Sequence, residues 1–205
     1  APLTLMGKSE GMDLVFHIAA LYRQEGVARE MFHRVNVEGT RALLEESVNA
    51  GVKRFVHCST VGVQGEISDP PATETAPYNP GDHYQESKIE GEKLALEYSR
   101  DRGLNTVVVR PVGIYGPGDT RFLKLFKYIH QQKFRMIGNG EVLYHLTFVE
   151  DLVRGIILAA EKDIASGQIF TLGGNEYVTL NQLVEKIARV LEKPVPNKHI
   201  PLWPV

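Results

Sequence analysis

Apolar residues in this chain alternate between short dense runs and longer stretches in which they recur every three or four positions. Strands and helices taking turns write that pattern, and it predicts a parallel sheet covered by helices. Residues 12–20 are almost continuously apolar at their centre, which suits a strand buried in such a sheet. Residues 30–50 carry Phe32, Val35, Leu43, Leu44 and Val48 as a helical stripe, and Gly51 is placed to end it. Residues 54–59 read as the next strand. Residues 84–102 read as a second long helix stopped by Gly103. The Val-rich run 106–110 is a third strand, whose ladder Pro111 should end.

Between the second strand and its helix, Gly62 and Gly65 allow a tight turn. Residues 67–82 are rich in Pro, Glu, Asp and Thr, and are expected to form a long surface loop lining a substrate cleft. After a glycine-rich region at 112–119 come a helix at 122–131 and short strands at 134–137 and 144–149, with Gly138-Asn139-Gly140 as a turn between them. Glu150-Asp151 opens an apolar helix running to Ala160, acids at its favourable end. A strand at 168–172 stops at Gly173-Gly174. Thr179 and Gln182 then form a capping box for a last helix. The whole predicts a doubly wound parallel α/β sheet with a small C-terminal lobe, divided near residues 1–120 and 121–205, the two parts interleaved.

Bulk properties narrow the function. With 205 residues, 43% hydrophobic and 23% charged, the chain has the make-up of a globular domain. A net charge of −2 gives no electrostatic case for nucleic acid or an anionic membrane. No apolar run reaches the roughly 18 residues of a membrane span. Cys58 is the single cysteine, so no internal disulfide framework exists. Its place at a strand end reads as a small buried residue, and a cytoplasmic location is expected. No metal is called for. His17, inside the first strand, reads as a satisfied histidine rather than a ligand.

Tyr84 and Lys88 stand four apart, on one helical face. A free phenol titrates near pH 10, too high for easy proton transfer at neutral pH. A neighbouring ammonium favours the phenolate, so the pair is a candidate general base or acid. Thr60 lies near the edge at which the preceding strand ends. Asn36 and Gly39 sit inside a helical pattern that both residues weaken, which asks for a polar or packing reason.

The order of these pieces, Arg54–Thr60, Tyr84-Gln85-Glu86-Ser87-Lys88 and then Thr106–Pro111, resembles the extended short-chain dehydrogenase/reductase family, which includes NAD-dependent sugar epimerases and dehydratases. The resemblance implies that Thr60 (five residues before Gly65), Tyr84 and Lys88 are the catalytic set and that Asn36 orders their proton network. It also implies a cofactor, NAD with NADP as the alternative, along Ala19, Ala20, Ser59, Tyr84, Lys88, Pro111 and Val112. The expected reaction is reversible hydride transfer at a secondary alcohol or ketone of a small-molecule substrate. A nucleotide-sugar epimerase is favoured over a hydroxysteroid- or dihydroflavonol-reductase-like dehydrogenase. A non-catalytic binding protein on the same fold is the reading from another class.

Three departures qualify that picture. No glycine-rich dinucleotide turn occurs near the start, so about 60 residues, two βα units and a strand, are expected to be missing, and the chain reads as a fragment. Val61-Gly62 follow Thr60 where a 4,6-dehydratase of the family carries Asp-Glu. Gly113 and Gln64 stand where many sugar-nucleotide enzymes carry Asn and Tyr. Ile89, Leu94, Leu96 and Tyr98 spread beyond one helical face, and with the resemblance they suggest a homodimer packed through the two long helices.

Overall fold

A computed structural model of the chain describes residues 9–201. Its strands are β1 (Leu14–His17), β2 (Arg54–Cys58), β3 (Thr106–Pro111), β4 (Gly113–Tyr115), β5 (Met136–Ile137), β6 (Leu143–Phe148), β7 (Ile169–Leu172), β8 (Tyr177–Thr179) and β9 (His199–Ile200). Its helices are α1 (Arg29–Phe32), α2 (Gly39–Asn49), α3 (His83–Arg102), α4 (Leu123–His130), α5 (Val149–Glu161) and α6 (Leu180–Val190). Two compact units result. One holds the residues up to Val112 together with Leu152–Leu172, and the other holds Gly113–Asp151 and the residues from Gly173 onward. Residues 152–172 return to the first unit as most of a helix and a strand.

The first unit is a four-stranded parallel sheet in the order β1-β2-β3-β7. Phe55 and Val108 on one face pack against Val37 and Leu44 on one helical layer and Leu94, Ala95 and Tyr98 on α3. Each such burial is worth about 1.5–3 kcal/mol. On the opposite face Arg54 donates to the carbonyls of Ala159 and Lys162, both at 3.0 Å, at the C-terminal end of α5. Carbonyls at a helix end lack intrahelical partners and favour a cation. Helices on both faces make this a doubly wound, Rossmann-like α/β fold.

Three local expectations change. The strand expected over 12–20 pairs only over Leu14–His17, and Leu14 and Phe16 are each 41% exposed. Among the described residues β1 is the end strand, so it lacks the cover of an interior one. The strand expected over 106–110 runs one residue further: Pro111 is the last paired residue of β3, opposite Leu172, and the next residue, Val112, donates to the Leu172 carbonyl at 3.1 Å. The helix expected over 30–50 is interrupted by a π-helical turn at His33–Glu38. Thr40, just beyond that turn on α2, donates its hydroxyl back to the Asn36 carbonyl at 2.6 Å. Wide turns of this kind concentrate at functional sites.

The loop after β2 is tightly held at its base. Gly65 has a φ of +63°, and a Cβ there would lie 2.0 Å from the Asn79 carbonyl oxygen. Asn79 donates to the Val63 carbonyl at 3.0 Å, and Gln64 donates to the Thr73 carbonyl at 2.7 Å.

In the second unit, β6 lies between β4, parallel to it, and β8, antiparallel. The turn at 138–140 does not make a hairpin, since β5 pairs with β9 instead. Ile129, Met136, Val184, Ile187 and Ala188 form this unit's core. The capping box forms as expected: the Thr179 amide donates to the Gln182 side chain at 2.8 Å, and the Gln182 amide to the Thr179 hydroxyl at 3.2 Å.

Candidate active site

Parallel strands end on the same edge of their sheet. Ala19 and Ala20 beyond β1, Ser59 and Thr60 beyond β2, and Pro111 and Val112 at the end of β3 therefore share one rim. Ala19 and Ala20 are exposed, whereas Pro111 and Val112 are buried.

Lys88 reaches this rim from α3. Its ammonium donates to the Cys58 carbonyl at 2.6 Å, and the residue is 3% exposed. Burial lowers its pKa. Gly91, one turn on, lets α3 approach: a Cβ there would stand 3.2 Å from the Asn36 carbonyl and 3.4 Å from the His57 ring. His57 is fully buried, and neither ring nitrogen has a partner among the described residues. Burial first, then the Lys88 charge, hold its pKa well below the usual value. His17 bonds Thr40 through Nε2 at 2.8 Å, and the same two causes bring it down to about 4. Two neutral imidazoles thus flank a buried cation.

Tyr84 lies one turn before Lys88. The Tyr22 ring meets its ring edge-on at 5.1 Å, and the Arg23 guanidinium sits 5.7 Å from its centroid. Arg23 is itself anchored to Asp82, the N-cap of α3, at 2.6 Å. Burial is the largest cause that pushes the Tyr84 phenol up to about 12, and Arg23 is the cation that opposes it. The expected lowering of the phenol is not seen: burial raises it, and Lys88 is not among the groups that act on it.

Asn36 ties the helices to the segment after β1. Its side-chain oxygen accepts from the Leu21 amide at 2.7 Å, and its nitrogen donates to the Leu21 carbonyl at 3.0 Å. That nitrogen also donates to the Ser87 hydroxyl at 2.9 Å, and Ser87 donates on to the Tyr84 carbonyl at 2.7 Å. The Asn36 amide therefore orders both the backbone beside Ala20 and the turn that carries Tyr84. Thr60 caps the short helical turn Val61–Gln64, accepting from the Gly62 amide at 3.1 Å. That bond uses a lone pair and leaves the Thr60 hydroxyl proton free to donate. The Ser59 hydroxyl is buried on the rim without a partner among the described residues.

Several participants escaped the sequence reading. Ser87 carried a signal, since it stands three residues after Tyr84 on the same helical side. Tyr22, Arg23 and His57 carried none, as nothing local marks them as neighbours of Tyr84 and Lys88.

A profile described as the NAD dependent epimerase/dehydratase family matches residues 3–173. The sterol-4-alpha-carboxylate 3-dehydrogenase, decarboxylating, of Mus musculus is 35% identical over 204 residues, 95% of this chain and 56% of that protein. The 3-beta-hydroxysteroid dehydrogenase of Mycolicibacterium neoaurum is 32% identical, over 91% of this chain and 55% of that protein. Among solved structures, UDP-glucuronic acid 4-epimerase from Bacillus cereus in complex with NAD is similar with a TM-score of 0.82 and 26% identity. It covers 93% of this chain and 63% of its own. The chain thus spans little more than half the length of the curated relatives it matches. With a family profile over most of its length and relatives at this identity, the chain belongs to the NAD-dependent epimerase/dehydratase family of extended short-chain dehydrogenases/reductases.

Proposed function

We propose that the protein carrying this chain is an NAD(P)-dependent oxidoreductase that acts on a secondary alcohol or the matching ketone. The observation that carries the reading is the Asn36–Ser87–Tyr84 chain of hydrogen bonds beside the Lys88 ammonium at the end of β2. Tyr84 moves the proton of the substrate oxygen. With its phenol up near 12, it is a proton donor at neutral pH, the form that ketone reduction requires. Thr60 donates its free hydroxyl proton to the same oxygen and stabilises negative charge developing there. Lys88 supplies a fixed positive charge, and Asn36 holds the turn in register.

The nicotinamide cofactor, when bound, supplies the hydride acceptor and donor. The rim fits such a group: the Ser59 hydroxyl is a buried donor in need of a partner, and Ala19 and Ala20 offer exposed backbone with minimal side chains. Ala19, Ala20, Ser59, Lys88, Pro111 and Val112 would hold it, with Tyr84 alongside.

Two finer readings follow. Nucleotide-sugar epimerisation is supported by the likeness to the Bacillus cereus epimerase. Dehydrogenation of a hydroxysteroid-like alcohol is supported by the sequence relatives and by Val61-Gly62, Gln64 and Gly113 at positions where sugar-nucleotide enzymes differ. Net conversion of free NAD(P) separates them, since an epimerase returns its hydride. A homodimer and a cytoplasmic location complete the proposal. No helix among the described residues is long and apolar enough to cross a membrane. The deciding experiment is turnover by the whole protein with each substrate class. Absence of any turnover with both classes and both cofactors, in a protein that binds NAD, would favour the non-catalytic reading.

A further inference from the structure

Arg23 has no part in the proton transfer described above, yet it stands beside the group that performs it. Its guanidinium carbon lies 5.7 Å from the centroid of the Tyr84 ring. A cation within about 6 Å of an aromatic centroid is attracted to the ring face. The attraction grows when the phenol ionises, since the ring then carries a full negative charge.

The arginine is held from two directions. Its Nε meets the Asp82 carboxylate at 2.6 Å, and the other oxygen of Asp82 accepts from the Gln85 amide at 2.7 Å as the N-cap of α3. One carboxylate therefore fixes both the guanidinium and the first turn of the helix that carries Tyr84. Two residues earlier, Leu21 is bound through its amide and its carbonyl to the Asn36 side chain, at 2.7 and 3.0 Å. Between them the Tyr22 ring meets the Tyr84 ring edge-on at 5.1 Å. Leu21, Tyr22 and Arg23 thus each bear on the Tyr84 turn: the first through Asn36, the second by a ring edge and the third by a charge.

The other neighbours of Tyr84 leave this role to Arg23. Lys88, one turn on, gives its ammonium to the Cys58 carbonyl at 2.6 Å. Burial above all, then the Cys58 thiol, the Tyr22 phenol and the Asp82 carboxylate, disfavour a phenolate, and Arg23 is the cation that opposes them. The Arg23 side chain is 47% exposed, so water screens part of its effect and a moderate contribution is expected.

We propose that Arg23 is a positioning residue for the reaction: clamped by Asp82, it is the cation that steadies the negative charge forming on the Tyr84 phenol as its proton leaves. The claim about rate rests on the redox reading above; the claim about the phenol does not.

The Tyr84 phenol is titrated in the whole protein, with and without NAD, by the carbon-13 shift of labelled tyrosine, and Tyr84→Phe identifies its signal. Arg23→Gln should move that titration to higher pH by about half a pH unit or more. Arg23→Lys keeps the charge and can still meet Asp82, so it should restore most of the parent behaviour. In kinetics, the rise of alcohol oxidation with pH should move upward in Arg23→Gln by the same amount. Turnover at neutral pH should fall about threefold or more, with the KM for NAD little changed. Circular dichroism confirms that each variant is folded. A Tyr84 titration left in place by Arg23→Gln, or an Arg23→Lys no closer to the parent than Arg23→Gln, would overturn the proposal and leave the arginine a structural clamp. A shifted phenol in a protein that turns over no alcohol would uphold the contact with Tyr84 and count against the redox reading instead.

Discussion

Arg110 and Glu92 form a two-point ion pair inside the first unit, with nitrogen–oxygen distances of 2.5 and 3.1 Å. Both side chains are at most 2% exposed. Tyr78 donates to the same carboxylate at 2.7 Å, and Arg110 also donates to the Glu74 carbonyl at 2.9 Å. The Glu74 carboxylate in turn accepts from the Thr171 amide at 2.8 Å. The long loop before α3 is thus pinned to the sheet through one buried charge cluster.

Breaking that pair should be costly. Glu92→Ala would strand the Arg110 charge, and loss of one partner of a buried pair costs about 3–5 kcal/mol. The double variant Glu92→Leu/Arg110→Met should recover much of the loss. Urea denaturation measures both. A cost below about 1 kcal/mol for Glu92→Ala would show that the pair is not closed in solution.

Tyr84→Phe should reduce turnover by about 10²–10⁴-fold, the usual worth of positioned proton transfer, with NAD affinity nearly unchanged. Lys88→Met should reduce both. Steady-state kinetics and cofactor titration separate these effects, and normal turnover in Tyr84→Phe would refute the mechanism.

Asn36→Ala should lower turnover and also stability, the latter by about 1–3 kcal/mol, because Leu21 and Ser87 lose their shared partner. Thermal unfolding and kinetics read the two effects. A variant as active and stable as its parent would remove Asn36 from the site.

Stability should fall on mild acidification. The folded pKa of His17 is about 4 against 6.5 for the free side chain, so the unfolded chain takes up the proton first. The stability is complete above pH ~6.5 and is lost progressively as pH falls from there through about 4, amounting to ~3 kcal/mol at most from this group. His57, also lowered, adds in the same direction. Denaturation across this window should show the loss, and His17→Gln should flatten it.

A homodimer through the helical face is expected for the whole protein. Ile89, Leu94 and Tyr98 are buried within the chain itself and so cannot supply the contact. Met31 and Val35, each 38% exposed, remain available beside the ionic residues Arg29, His33, Glu86 and Glu90. A monomer mass by light scattering at micromolar concentration would reject it.

Features set by neighbours in sequence were legible beforehand. Gly103, with a φ of +67°, ends α3 because only glycine accepts that conformation cheaply, and the Thr179–Gln182 box acts over three residues. The placement of Tyr84 and Lys88 on one helical face follows from spacing alone. The Asn36–Ser87 bond was not legible, since it joins residues 51 positions apart. Nor was the pairing of β5 with β9, which depends on a chain return of about 60 residues rather than on the turn between 138 and 140. The Tyr84 pKa was misread for a related reason. Spacing announces a nearby cation, but burial depends on Tyr22 and Arg23 arriving from another segment.

The clasp between Gly65 and Asn79 makes part of the intervening loop an exchangeable cassette. The ends are fixed within a few ångströms of each other, and Gln64 secures Thr73 just inside them. Between those anchors Glu66, Ser68, Asp69, Pro70 and Pro71 are exposed. Lengthening such a tip costs little, about 0.6 kcal/mol per doubling of a flexible loop. Epitopes, labels or the corresponding tips of relatives could be grafted at 66–72 while Thr60, on the other side of the clasp, keeps its position.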